Sequence, residues 1–230
     1  MQSQNERGAQ EARANSNEKV KTGELMAMDD ARWRIWLAGA LALGAMTLCC
    51  LLWAPGIEGV RLLIRATART SLLFFLLAFT AQAAAQTWPG AWSNWQRRHR
   101  RQWGWLLVTS HGLHAAGIIG LAAMAPDLFA SLSPPVQRVG PGVAYLFIIL
   151  MGLTSFDRTA AWLGRVWWAR LHTWGLHYLW FSFLVANGKR VAAHPEYALP
   201  TLLLLAALGW RLWCQRSKVF KAEPASAGPA

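Results

Sequence analysis

Six times along this chain an apolar run approaches the length needed to cross a lipid bilayer, and each time a turn signal or a cluster of positive charge ends it. The runs occupy residues 33–54, 71–87, 103–124, 143–162, 167–185 and 199–213. Pro55-Gly56 stops the first, Trp88-Pro89-Gly90 the second, and Asn187-Gly188-Lys189-Arg190 the fifth. A hydrocarbon core of about 30 Å takes about 20 residues of α-helix. Lipid offers backbone N–H and C=O groups no partner, so such runs must satisfy their hydrogen bonds internally, as helices do. The pattern predicts an all-α, polytopic membrane protein: a six-transmembrane-helix bundle in contact with the lipid bilayer.

Charge supports that reading and sets an orientation. Charged residues make up 15% of the chain and apolar ones 54%, against about 25% charged in an ordinary soluble domain. The net charge of +12 does not point to nucleic acid, because the basic residues flank apolar runs and no nucleic-acid motif accompanies them. With six spans both termini share a face. On it lie Arg32, Arg34, Arg97, Arg98, Arg100, Arg101, Arg158, Arg165, Arg170 and the basic tail from Arg211 to Lys221. They outnumber Arg61, Arg65, Arg69, Arg138, Lys189 and Arg190 on the other face by roughly two to one, so both termini are predicted to be cytoplasmic. The expected location is a bacterial inner membrane.

Residues 1–30 are polar and of mixed charge, which predicts a disordered N-terminal tail. They are too polar for the start of a secretory signal, so the first span is expected to act as an uncleaved anchor. Residues 31–214 form the membrane domain, and 215–230 read as a basic, disordered tail. Arg61, Arg65 and Arg69 are four apart and share a helical face, which suggests an interfacial amphipathic turn. Most of the 15 tryptophans fall near run ends, as interfacial anchors do. The second span's small residues 80–87 predict an internal packing face, on which Gln82 and Gln86 face another helix or a cofactor. Cys49, Cys50 and Cys214 form no metal or haem-attachment motif and read as small buried side chains.

Two apolar runs carry histidines: His111 and His114 in the third, His172 and His177 in the fifth. A polar ring at membrane depth is costly and marks a candidate functional site. Both runs enter from the same face. At 1.5 Å per residue His114 lies about 16 Å in from Trp103, and His177 about 15 Å in from Trp167. His111 lies about 12 Å in and His172 about 8 Å. One imidazole from each of two helices at one level is the arrangement that ligates a b-type haem iron from both sides. His172 and His177 are separated by about 140° around their helix axis, so only one of them can face a given iron. A single haem fits this pattern better than two. Zinc is the weaker reading, since no Cys, Asp or Glu stands nearby at ligand spacing.

The run Arg100-Arg-Gln-Trp-Gly104 with His114 ten residues on resembles the third helix of the ferric-reductase-like transmembrane domain family. Leu153-Thr-Ser155-Phe-Asp157, Leu163-Gly164 and Trp168-Ala-Arg-Leu-His172 are similar to the family's later segments, and Arg69-Thr-Ser71 with the apolar run after it resembles its second span. The resemblance covers about residues 35–210. Members include the haem-binding membrane subunit of methionine-sulfoxide reductase systems and the membrane halves of ferric reductases and NADPH oxidases. The resemblance implies b-haem ligation by histidines of the third and fifth helices, and carries over to His114 and His172. Many relatives have a further histidine thirteen residues after the Trp-x-x-Leu-His one, where this chain has Val185. The motif favours His172 and the depth count favours His177 as the partner of His114.

No G-x-G-x-x-G occurs, and the stretch after Trp213 is too short for a flavin or nicotinamide domain. An electron-transfer subunit of this kind takes electrons from a separate donor, quinol or a flavoprotein, and passes them to a separate acceptor. Arg100, Arg101 and Arg170 are candidates for propionate contacts, or for interfacial anchors. The alternative is a haem-free membrane scaffold or assembly protein whose histidines serve helix packing.

Overall fold

The computed structural model describes residues 33–222, with side chains through Ser217; the expected tail at 1–30 lies outside the described residues. Among the described residues nine α-helices follow one another without a strand. They are α1 (Trp33–Trp53), α2 (Ile57–Thr87), α3 (Ala91–Arg98), α4 (Arg100–Met124), α5 (Pro126–Leu132), α6 (Val139–Leu153), α7 (Asp157–Leu163), α8 (Arg165–Gly188) and α9 (Ala198–Ala222). Single 3₁₀ turns, Pro135–Arg138 and Pro195–Tyr197, lead into α6 and α9.

Five segments are helical, long and apolar enough to cross a membrane: Trp33–Trp53, Ile57–Thr87, Arg100–Met124, Pro135–Leu153 and Pro195–Ser217. α8, with 24 residues, is about 36 Å long, so length does not set it apart. Its composition does, because Arg170, His172, His177 and four tryptophans lower its hydropathy.

α2 organises the bundle. Its 31 residues take in the arginine-bearing stretch before the second apolar run, so the amphipathic turn is the start of this helix and not a separate linker. Leu72, Phe75 and Phe79 recur at the spacing of one helical face and enter a core shared with Leu107 of α4, Ile148 and Met151 of α6, Leu179 and Phe183 of α8, and Leu204 of α9. Ala81, Ala83 and Ala84 are buried, as the small-residue run predicted. Small side chains let neighbouring helices come close where lipid gives no hydrophobic drive for association.

α4 runs antiparallel along α2, joined by hydroxyls. Ser110 Oγ accepts from Ser71 Oγ (2.9 Å), contacts Thr70 Oγ1 (2.8 Å) and donates to the Thr67 carbonyl (3.1 Å). Thr67, Ser71 and Ser110 are fully buried. Ser110→Ala removes the partner of Ser71 and is expected to destabilise the protein by about 1 kcal/mol, within the range of interhelical hydrogen bonds in membranes. Reversible unfolding in detergent checks it.

The fourth apolar run is split. α6 ends at Leu153, and α7 follows as a separate short helix. Gly164 then turns the chain into α8 with φ of 78°, a left-handed conformation that glycine adopts without a Cβ clash. α8 packs on α6 at Gly175, where a Cβ would come within 2.6 Å of Met151 Sδ. The last helix continues to Ala222, so the first part of the stretch read as a disordered tail is helical.

Candidate functional site

Four histidines lie on two helices, and the hydrogen bonds fix the tautomer of three. His114 Nδ1 is 3.0 Å from the Ile64 carbonyl oxygen and 3.2 Å from Thr67 Oγ1. His172 Nδ1 is 3.0 Å from the Trp168 carbonyl, and His177 Nδ1 is 2.7 Å from the Thr173 carbonyl. A carbonyl can only accept, so each Nδ1 carries the hydrogen and each Nε2 keeps its lone pair. A metal-binding imidazole needs this arrangement, with the outer nitrogen held by a backbone acceptor.

His111 differs. Its ring packs against His114 (centroids 5.2 Å apart), Tyr145 (4.9 Å) and the edge of Phe183 (5.9 Å). Its Nδ1 is buried with no hydrogen-bond partner, and so is the Tyr145 hydroxyl. Two unpartnered polar atoms on touching rings oppose stability, since each gives up solvation without compensation. Tyr145→Phe removes one of them without changing shape. Its stability in detergent unfolding is expected to equal that of the parent or exceed it by up to about 1 kcal/mol.

The structure brings His111 and His114 together but does not bring His114 and His177 to one level. Phe183, which meets His111, is six residues or about 9 Å along α8 from His177. From Phe183 a file of rings leads back through Phe75 (5.2 Å) and Phe79 (5.1 Å) to His177 (6.3 Å). His114 lies one turn beyond His111 and bonds at Thr67, twelve residues or about 18 Å from Phe79 along α2. His172 is further away still. It stacks on Trp168 (4.1 Å), whose indole N–H donates to the Thr154 carbonyl where α6 ends.

Trp103 and Trp167 do not mark one level, so equal residue counts from them do not reach equal depths. Trp103 is packed between Phe74 (6.4 Å) and Trp95 (5.5 Å) with its indole nitrogen buried, whereas Trp167 is exposed beneath the guanidinium of Arg170. The two starting points differ in height, since Trp103 meets Phe74 of α2 while Trp167 lies ten residues, about 15 Å, along α8 from His177, which meets Phe79. Between α4 and α8 the rings of His111 and Phe183 meet edge to face, 5.9 Å apart.

The donor chemistry of the single imidazoles thus fits a haem iron, while the joint ligation of one iron by His114 and His177 does not fit this arrangement. Among the described residues no three side chains from His, Cys, Asp and Glu converge in a way that could hold a metal ion. Of the arginines considered for propionates, Arg101 pairs with Asp157 (3.1 Å) and Arg170 lies over Trp167 (5.0 Å).

Tyr145 and the Thr67, Thr70, Ser71 and Ser110 hydroxyls were not among the expected site residues. The spacing of Thr67, Thr70 and Ser71 by three and four, beside an apolar run, was the available signal that one face of α2 is polar and covered. Gln82 and Gln86 do face another helix, lining a niche with Arg211 and Gln215 of α9. No family model matches the chain, and no curated protein and no solved structure matches it either.

Proposed function

We propose that this chain is the membrane component of an electron-transfer system, a six-span bundle with α8 as the additional span. It carries b-type haem between α4 and α8, with both termini on the cytoplasmic face of a bacterial inner membrane. The observation that carries the reading is the set of imidazoles at membrane depth whose Nδ1 is committed to a backbone carbonyl and whose Nε2 is left as a ligand. His114 is the α4 residue that would hold the iron. Ile64 and Thr67 orient its ring, and His172 or His177 would serve from α8 only after that helix had moved to bring one of them to the level of His114. A bound haem supplies one-electron cycling between ferric and ferrous iron, tuned by axial ligands and burial. The buried aromatic core excludes water from the interval between the helices. Electrons come from a separate donor, quinol or a flavoprotein, and leave to a separate acceptor, as the likeness to the ferric-reductase-like family suggests.

The test is optical. Protein purified from haem-replete cells is expected to show a b-type reduced-minus-oxidised spectrum on adding dithionite. Preparations that are folded but lack any such signal would sink the proposal.

The different levels of His114 and His177 favour a second reading, in which the chain is a haem-free membrane scaffold. There His114 ties α4 to the Ile64 carbonyl of α2, His172 and His177 bond carbonyls of their own helix, and the rings pack against Tyr145, Phe79 and Trp168. On that reading, apolar replacement of all four leaves assembly and function intact.

A further inference from the structure

Arg211 enters the bundle from α9 and lays its guanidinium over Phe79, 4.2 Å from the ring centroid, while Nη1 donates to the Phe79 carbonyl. One of five guanidinium N–H donors is thereby used. Arg100 of α4 lies within Coulombic reach of it. No carboxylate among the described residues answers these charges. Glu58 takes Arg61, Asp157 takes Arg101, Glu196 faces His194, and Asp127 opens α5 at the opposite end of the bundle. Like charges repel, and an anion beside the partly buried Arg211 offsets that cost.

A second, separate feature points the same way. Gln82 and Gln86 of α2 and Gln215 of α9 line a small niche with Arg211. Gln215 follows Arg211 by four residues, as Gln86 follows Gln82, so each pair shares a helix face. A guanidinium fork ringed by amide N–H₂ groups is a donor set for the oxygens of a phosphate. The niche lies within two turns of the end of α2 at Thr87. There Trp88 meets Trp210 at 5.1 Å, and Trp88 and Trp213 are exposed. Tryptophans of this kind mark the headgroup level of a bilayer, which is where lipid phosphodiesters lie, and basic pockets between membrane helices recognise anionic headgroups.

We propose that the niche between α2 and α9 binds the phosphate of an anionic phospholipid, which neutralises Arg211 and ties α9 to α2. None of the four intramembrane histidines lines the niche, and binding there does not depend on haem.

The test uses the full chain in an uncharged sugar detergent and follows thermal unfolding during titration with three additives. These are phosphatidylglycerol, a diacylglycerol of the same acyl chains, and inorganic phosphate. Phosphatidylglycerol is expected to raise the midpoint saturably, and the other two are expected to leave it in place. Arg211→Gln is expected to weaken the apparent lipid affinity by about tenfold or more, as loss of a charge-assisted contact does, and Arg211→Lys by less. The double change Gln82→Ala with Gln86→Ala, which removes no core packing at the exposed Gln82, is expected to weaken it about threefold; it carries the test if Arg211→Gln does not fold. Full lipid affinity in either variant overturns the proposal. So does an equal shift with diacylglycerol, which would mean that the acyl chains alone are recognised. Inorganic phosphate reproducing the shift overturns the lipid assignment in favour of a soluble oxyanion.

Discussion

Protein carrying His114→Ala is expected to lose the b-type reduced-minus-oxidised signal entirely while remaining folded. The ring is an orienting partner of Ile64 and Thr67, but neither depends on it. Thr67 Oγ1 already donates to the Leu63 carbonyl at 2.6 Å, and the Ile64 carbonyl belongs to the helical ladder of α2. The variant should therefore elute from a sizing column as the parent does, with unchanged far-ultraviolet ellipticity. Companion variants divide the two α8 candidates. If His172 holds the iron, His172→Ala loses the signal and His177→Ala keeps it; if His177 does, the outcomes reverse. A spectrum that survives His114→Ala undiminished removes α4's central imidazole from the proposed site.

The largest effect on stability is expected at Gly59, in the first turn of α2. A Cβ there would fall far inside van der Waals contact of the Ala54 carbonyl oxygen. That oxygen belongs to the backbone of the turn joining α1 to α2, where Gly56 takes φ of 78°. Backbone cannot swing aside as a side chain does, so the corner itself must open. Gly59→Ala is expected to cost about 3 kcal/mol, at the upper end of overpacking, read as a lower midpoint in detergent unfolding. Gly120 of α4 is the control, since a Cβ there meets nothing within 4 Å. Gly120→Ala is expected to be neutral or stabilising, because alanine is the better helix former. Equal effects at the two positions would show that the α1–α2 corner is not tight.

Much of the fold was legible because lipid leaves so few options for an apolar run. Pro55-Gly56 and Trp88-Pro89-Gly90 end helices where the sequence predicts, and the small residues of α2 are buried as a close-packing face. Boundaries set by charge were harder to read. Arg61, Arg65 and Arg69 interrupt hydropathy without interrupting a helix, since their four-residue spacing keeps them on one face. Arg, His and Trp likewise keep the hydropathy of α8 below what marks the five other long helices as able to cross a membrane. Among candidate site residues, identity and helix assignment were readable; relative height was not. Height depends on how one helix slides along its neighbour, and here Gly175 against Met151 and Phe183 against His111 set the register of α8. Such contacts join residues far apart in the chain, and spacing within one helix carries no trace of them.

The hydroxyl seam between α2 and α4 bears on the order in which the bundle assembles. Its members, Thr67 to Ser71 and Ser110, are all synthesised before α6 begins, and only the short α3 lies between the two helices. A nascent chain emerging from its N-terminus can therefore close this hairpin while α8 and α9 are still being made. Docking of the later helices would then be a distinct, slower event that ends when Phe183 reaches His111 and Trp180 donates to the Leu204 carbonyl. Defects in α8 or α9 should leave a membrane-inserted α2–α4 pair that is protected from proteolysis, whereas defects in the seam remove the platform on which the second half lands.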